Sequence, residues 1–378
     1  MENTERRYQI HNCHTHLFTM DHVPEYFLSR YFRTSWAKKK WVAKLGMLLA
    51  KRSITRYMAF FYSAMKVTQE DVLRELRGYY PRTAKFCVLT VDFEYMEAGK
   101  CRLGFIEQID ELALLAQAVN EEEGEEVVIP FLGIDPRRPN LLDLVQKYVE
   151  DRGYRGLKMY PALGFFPNDE RLYPVFEYAQ KYQLPITTHC LPKNKNHFRF
   201  KPTKDMIAKA RQIKGYEEWE FKKSYDFAKY LNHPYWYQLL LEDFPELKIN
   251  FGHFGGNEEW DKYLDTPDEK FEKDISWYSI IRGLIKRYPN VYADISFTVF
   301  DRNLYPLLKN LVNSEYKDSV YYSPKQKILF GTDFYMLQKD YRERRFGIDL
   351  RGYLSDDEYW QIAEDNPRRF LATKLETI

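Results

Sequence analysis

His14 and His16, one residue apart in "IHNCHTHL", are the first residues along the chain whose types and spacing could do chemistry. On a strand both imidazoles point to the same side, so at a strand end they form a platform for a divalent metal. The same alternation places Asn12 with them, facing into a barrel, and His11 and Cys13 facing out. His189 closes the run "LPITTHC", His253 closes "KINFGHFGG" and Asp333 closes "KILFGTDF". Half of the eight histidines therefore stand at the ends of apolar runs. Three neutral nitrogens and a carboxylate make a Zn2+ site that keeps a position open for water. Singly, a strand-end His is more often a packing residue, and Asp after Gly-Thr is often a turn or helix cap. The metal reading rests on all five falling at one mouth.

Lys158 and Tyr160, in "RGLKMYP", end another run and are the substrate-binding candidates. The amine could hold an anionic group, react with CO2 to a carbamate bridging two metals, or form a structural ion pair. Asp92, Asp135, Arg137 and Asp294 also sit near run ends, where they suit loop caps or partners of the site residues. Lys193, Lys195 and Arg199 could hold a carboxylate or be solvated loop charges.

The elements that must position these groups are eight short apolar runs: 7–14, 85–92, 127–135, 155–160, 185–189, 248–253, 290–295 and 327–333. They are mostly apolar without strict alternation, as strands buried on both faces of a parallel sheet should be. Between them lie helical patterns, such as "FIEQIDELALLAQAVNEEEG" ending at Gly124. Eight alternations match a (β/α)8 TIM barrel, whose active sites lie at the C-terminal mouth. No glycine fingerprint follows the first run, against a doubly wound nucleotide fold. Helical insertions at about 17–80 and 191–247 are expected to cap that mouth, with 1–378 forming one barrel domain.

Composition narrows the function. The 378 residues carry 57 Lys and Arg against 55 Asp and Glu, a net +2, which argues against a nucleic-acid binder. Apolar residues at 44% and charged residues at 30% describe a globular chain. Four cysteines without CxxC spacing fit reduced thiols in a cytoplasmic protein. No run reaches the ~18 apolar residues of a membrane span, and no apolar stretch of a signal peptide follows the polar start. Residues 1–66 are locally basic, with 12 Lys and Arg against 4 Asp and Glu. Their amphipathic pattern over 30–66 suits packing on the main body, and could also touch a membrane surface, an acidic partner or an anionic substrate, while the whole 17–80 insertion could line the pocket or make a homodimer contact.

The ordered set "NCHTH", "GLKMYPALGFFPND", "LPITTHC", "FGHFGG", "YPNVYADIS", "FGTDF" and "NPRRFL" resembles the amidohydrolase superfamily, specifically the amidohydrolase-2 family of decarboxylases and lactonases related to aminocarboxymuconate-semialdehyde decarboxylase. The resemblance covers nearly the whole chain. It implies that His14, His16 and His189 are metal ligands. By the same resemblance Asp333 binds or adjoins the metal and handles the proton of its water, and His253 orients that water or polarises the substrate. One Zn2+ with Lys158 as a free amine is the arrangement of that branch. This chain has Asn12 where the family often has Asp, and it keeps His14 where some decarboxylases have Glu, which favours hydrolysis. The expectation is a hydrolase of C–N or C–O bonds in a small molecule, with nonoxidative decarboxylation of an aromatic or muconate-like acid as the alternative. A scaffold working through its basic helix would leave all five site positions idle.

Overall fold

The computed structural model describes residues 8–27, 63, 65–192, 198, 200–213, 224–265, 275–315, 322–336 and 343–375. Eight parallel strands follow one another in chain order around a (β/α)8 barrel. They are β1 (His11–Thr15), β2 (Lys85–Leu89), β3 (Val128–Ile134), β4 (Gly156–Met159), β5 (Ile186–His189), β6 (Ile249–Gly252), β7 (Val291–Asp294) and β8 (Ile328–Leu329). Each of the eight expected runs overlaps a strand, and seven contain theirs whole, β1 running one residue past its run. The last is shorter than expected, because the chain beyond Leu329 leaves the ladder to close the barrel by single backbone bonds. Cys13 N donates to Phe330 O at 2.9 Å, Asp333 N to His14 O at 2.8 Å and His16 N to Phe334 O at 2.7 Å.

The helices lie outside, and their apolar faces and the outward faces of the strands make the main core. The helix Phe105–Glu123 ends, as its sequence predicts, at Gly124, whose φ of +67° suits a residue without Cβ. Inside the barrel a smaller cluster holds Cys13, Cys87, Leu89, Ile129, Phe131, Tyr292 and Leu329, joined by Phe370 of the C-terminal helix Asn366–Leu371. Lys248 Nζ, at the start of β6, donates to the carbonyl of Ala372 at 2.5 Å, so that helix closes the N-terminal end of the barrel.

This interior corrects the expected facing of β1. Asn12 pairs with Phe86 and Thr15 with Val88, so three steps on β1 match two on β2. The extra residue is a β-bulge. It lets Cys13 and His14, although consecutive, both face the barrel interior, whereas Asn12 turns outward to Tyr80, Thr332 and Glu343. Strict alternation therefore holds for His14 and His16 and fails for Asn12 and Cys13.

Of the insertion at 17–80, residues 28–62 and 64 lie outside the described residues, and with them nearly all of the basic segment 30–66. The part that directly follows β1 does reach the C-terminal mouth, where Phe18 and Phe27 line the cavity. The second insertion contributes the helices Lys204–Ala210 and Tyr235–Asp243, and it packs Phe198, Phe227 and Trp236 against Phe166 in a core of its own. Among the described residues no helix is long and apolar enough to cross a membrane.

Candidate metal centre

At the C-terminal mouth, His14, His16 and Asp333 bring one donor atom each within 4.8 Å of one another, all buried. His16 Nε2 lies 3.2 Å and His14 Nε2 3.7 Å from Asp333 Oδ1. The hydrogen-bond network assigns the tautomers. His16 Nδ1 faces the carbonyl of Leu89 at 2.8 Å, and His14 Nδ1 faces Asp294 Oδ2 at 3.0 Å. Both partners only accept, so both Nδ1 atoms carry a hydrogen; the neutral His14 ring turns its Nε2 lone pair towards Asp333, and His16 Nε2 faces the same carboxylate. His14 Nε2 is fully buried and makes no hydrogen bond. A lone pair facing a buried carboxylate repels it unless a cation stands between them, and the orphaned His14 Nε2 needs the same explanation. The donor set thus fits a divalent metal by its own chemistry.

The backbone shapes this cradle. A Cβ on Gly252 would fall 2.9 Å from His14 Cε1 and 2.8 Å from Thr188 O, and one on Gly331 would fall 2.9 Å from His14 Cβ. Glycine at both positions lets β6 and the chain just beyond β8 close on His14.

His189 and His253 stand at the same mouth but are joined to each other. His253 Nδ1 lies 3.0 Å from Ser296 Oγ and 3.2 Å from Ser296 O. The carbonyl only accepts, so that nitrogen carries the hydrogen and His253 Nε2 is an acceptor. It faces His189 Nδ1 at 3.1 Å, which makes His189 the donor and puts the lone pair of its ring on Nε2. A second grouping, His14 with His253 and Asp294, also has metal-ligand spacing. There the oxygens of Asp294 already accept from His14, Asn250, the His253 amide and Ser296, so it reads as a hydrogen-bonded anchor.

Charge follows burial. Desolvation lowers His14 to about 3, against the opposing pull of Asp294, so the ring is neutral at physiological pH. Burial likewise lowers His253. For Asp333 burial acts upwards, but the hydrogen bond to His16 and the His253, His14 and His16 rings hold it at about 2. Lys158 is 2% exposed and its Nζ makes no hydrogen bond. Burial lowers it to about 8, which leaves it a cation at neutral pH.

These groups open into a cavity of about 180 Å3. Its described polar lining is His16, Lys158, Tyr160, His189, His253 and Asp333. Its apolar wall includes Phe18, Phe27, Phe93 and Phe297. Lys158 Nζ lies 5.9 Å from the centre of the Tyr160 ring, and that ring packs edge-on against His189 at 4.3 Å. The site residues expected from the sequence thus gather at one mouth. Asp92 and Asp135 are instead held by Arg138 and Arg137 in bidentate pairs, as loop braces. Lys193, Lys195 and Arg199 lie outside the described residues.

Sequence reasoning passed over Asn250 and Ser296, whose only signal is that they flank strand-end residues already singled out. It also passed over Glu343, eleven residues beyond Thr332, which accepts from Thr332 Oγ1 at 2.6 Å and Tyr80 at 2.5 Å. The aromatic wall gave no warning, since a lone Phe in a loop carries no pattern.

Solved structures share the fold at low identity. An amidohydrolase II aligns with TM-score 0.52 and 13% identity, covering 97% of this chain and 99% of its own. A dihydroxybenzoic acid decarboxylase from Polaromonas sp. JS666, with bound manganese and the inhibitor 2-nitroresorcinol, aligns with TM-score 0.52 and 11% identity over 97% of both chains. A 4-oxalomesaconate hydratase from Rhodopseudomonas palustris aligns with TM-score 0.50 and 15% identity over 96% and 95%. A comparison with curated proteins finds no match. The model of the amidohydrolase family matches residues 104–373. With the barrel and its mouth already in view, this match over more than half of the length shows that the chain belongs to the amidohydrolase family.

Proposed function

We propose that this protein is a metal-dependent hydrolase of C–N or C–O bonds in a small molecule that carries one anionic group. The observation that carries the reading is the orphaned, buried His14 Nε2 facing Asp333 beside His16. His14, His16 and Asp333 would hold one divalent metal, zinc in the simplest case, with His189 completing the set through its lone-pair nitrogen. Such a metal acts as a Lewis acid and brings water into reach of deprotonation near neutral pH.

The chain supplies the rest. Asp333, anionic well below neutral pH, takes a proton from water and returns it to the leaving group. His253 has its hydrogen committed to Ser296 and its Nε2 lone pair taken by His189 Nδ1–H, so it sets the tautomer of His189. Orienting the water requires that bond to open, and polarising a carbonyl would need a second proton on the ring. Lys158 holds the anionic group of the substrate, because a buried ammonium without an acceptor is costly until a ligand supplies one. Tyr160 lies beside it and forms part of the binding wall. The aromatic wall excludes water and takes the apolar body of the substrate.

The same buried cation favours a second reading, nonoxidative decarboxylation of an aromatic or muconate-like acid, since Lys158 would hold a carboxylate there too. The test is one screen of the metal-loaded protein against small carboxylate-bearing amides and lactones and against aromatic acids. Ring opening or amide cleavage with no CO2 release supports hydrolysis. CO2 release from an acid with its amide analogue untouched selects the lyase. Full turnover by metal-free protein sinks both.

A further inference from the structure

Asp294 is the most heavily hydrogen-bonded group of the barrel mouth, yet it does not line the cavity. Its Oδ2 accepts from His14 Nδ1 at 3.0 Å and from Asn250 Nδ2 at 2.7 Å. Its Oδ1 accepts from the backbone amides of His253 and Ser296, both at 3.1 Å, and from the Ser296 hydroxyl. The serine spends its one proton on that bond and so can only accept from its other neighbours, His14 Nδ1 at 3.1 Å and His253 Nδ1 at 3.0 Å. Among the described residues nothing around His14 Nδ1 offers a proton. Every acceptor there leads back to one buried carboxylate.

We infer that Asp294 is a positioning residue that sets the tautomer of His14, keeping the hydrogen on Nδ1 and the lone pair on Nε2, and that it pins the backbone of His253 with its other oxygen. The first effect is chemical, the second geometric, and a carboxamide separates them. In Asp294→Asn the two backbone amides hold the carbonyl oxygen on their side, because both must donate and the serine hydroxyl joins them. Asn250 can turn its unpartnered Oδ1 to the new NH2. The new NH2 then faces His14 Nδ1, which can meet it only by giving up its hydrogen. His14 would turn to the Nε2–H tautomer with its position nearly unchanged, and a nitrogen that carries hydrogen does not bind a metal.

The consequence for metal affinity rests on the proposed role of His14 as a ligand; the consequence for the tautomer does not. The experiment uses metal-free protein labelled with 15N-histidine, read by two-bond N–H correlations, beside zinc affinity measured by competition with a chelator. Wild type should show His14 protonated at Nδ1. Asp294→Asn should move that hydrogen to Nε2 and weaken zinc binding roughly 10–100-fold, the range found for lost partners of ligating histidines. Ser296→Ala should keep the Nδ1–H form, since Asp294 Oδ2 remains. An Nε2–H signal for His14 in wild type, an unmoved tautomer in Asp294→Asn, or a switch in Ser296→Ala overturns the inference. If Asp294→Asn does not fold, the wild-type and Ser296→Ala spectra decide. A switched tautomer with unchanged zinc affinity upholds the role of Asp294 and removes His14 from the ligand set.

Discussion

Asp333 Oδ1 stands 3.2 Å from His16 Nε2 and 3.7 Å from His14 Nε2, and the neutral His14 ring turns a lone pair at that carboxylate because its hydrogen faces Asp294. A divalent cation would satisfy both the carboxylate and the orphaned His14 Nε2. Purified protein should therefore contain roughly one equivalent of divalent metal, and chelation should lower the melting temperature, by ~4 kcal/mol of lost stabilisation if free metal stood at a thousand times its dissociation constant. Elemental analysis and thermal scans with and without chelator check both. Metal content unaffected by His14→Ala and His16→Ala would place the ion elsewhere.

Asp333→Asn should lose activity on the order of 10²–10⁴-fold, the usual worth of a positioned general base. His253→Ala should lose rate while keeping most of its metal. The pair is informative together: metal content and kcat for each variant, after circular dichroism has shown both folded. A His253→Ala protein without metal and an active Asp333→Asn protein would reverse the two roles.

Lys158 sets stability against binding. Its folded pKa of about 8 lies below the ordinary 10.5, so the unfolded chain binds the proton more tightly. The penalty is complete below pH 8 and fades as pH rises towards 10.5. Lys158→Met should raise neutral-pH stability by on the order of 1–3 kcal/mol and abolish inhibition by small carboxylates. In wild type that inhibition should weaken as pH rises through about 8, measured as Ki across pH 6.5–9.5.

Glu343 gives the opposite slope. Burial raises its carboxyl to about 7, although Thr332 and Tyr80 donate to it. Between about 4.5 and 7 the folded state holds the proton that the unfolded state has released, so stability falls as pH rises through that window. Glu343→Gln should flatten the decline and leave the protein more stable at pH 8, by on the order of 2–4 kcal/mol. Melting temperatures of both proteins at pH 5 and 8 test it. Parallel losses would locate the effect in another group.

Gly252→Ala should damage the site without touching a polar atom. The added methyl would press on His14 Cε1 and Thr188 O, contacts closer than carbon tolerates. A cost of ~1–3 kcal/mol is expected for such overpacking, with weakened metal binding as the specific sign. Intact affinity in the variant would show that His14 has room to move.

How much of this could be read from the chain alone follows from what each feature depends on. The strands were legible because both faces of each are buried, which writes an apolar run into every one. His14, His16, His189, His253 and Asp333 were legible because strand ends are where such runs stop. The facing of Asn12 was not, because a bulge is a mismatch between two strands and neither strand shows it alone. Nor was the service of Glu343, since its neighbours Tyr80 and Thr332 come from distant parts of the chain. Tautomers belong to the same class: His253 is assigned by Ser296, and His189 by His253, only once the fold has brought them together.

The interior cluster sets the order in which the molecule can be finished during synthesis. Cys13 and Phe370 belong to one packed group, and the closing backbone bonds of β1 reach Phe330, Asp333 and Phe334. At ~5–20 residues per second, roughly 20–70 s separate the emergence of these partners from the ribosome. During that interval the first strand has no neighbour on one side, and His14 and His16 wait without Asp333. The chain must keep its opening strand from pairing with other molecules until almost everything after it has been made, so nascent-chain aggregation should depend on the sequence around β1 far more than the stability of the finished barrel does.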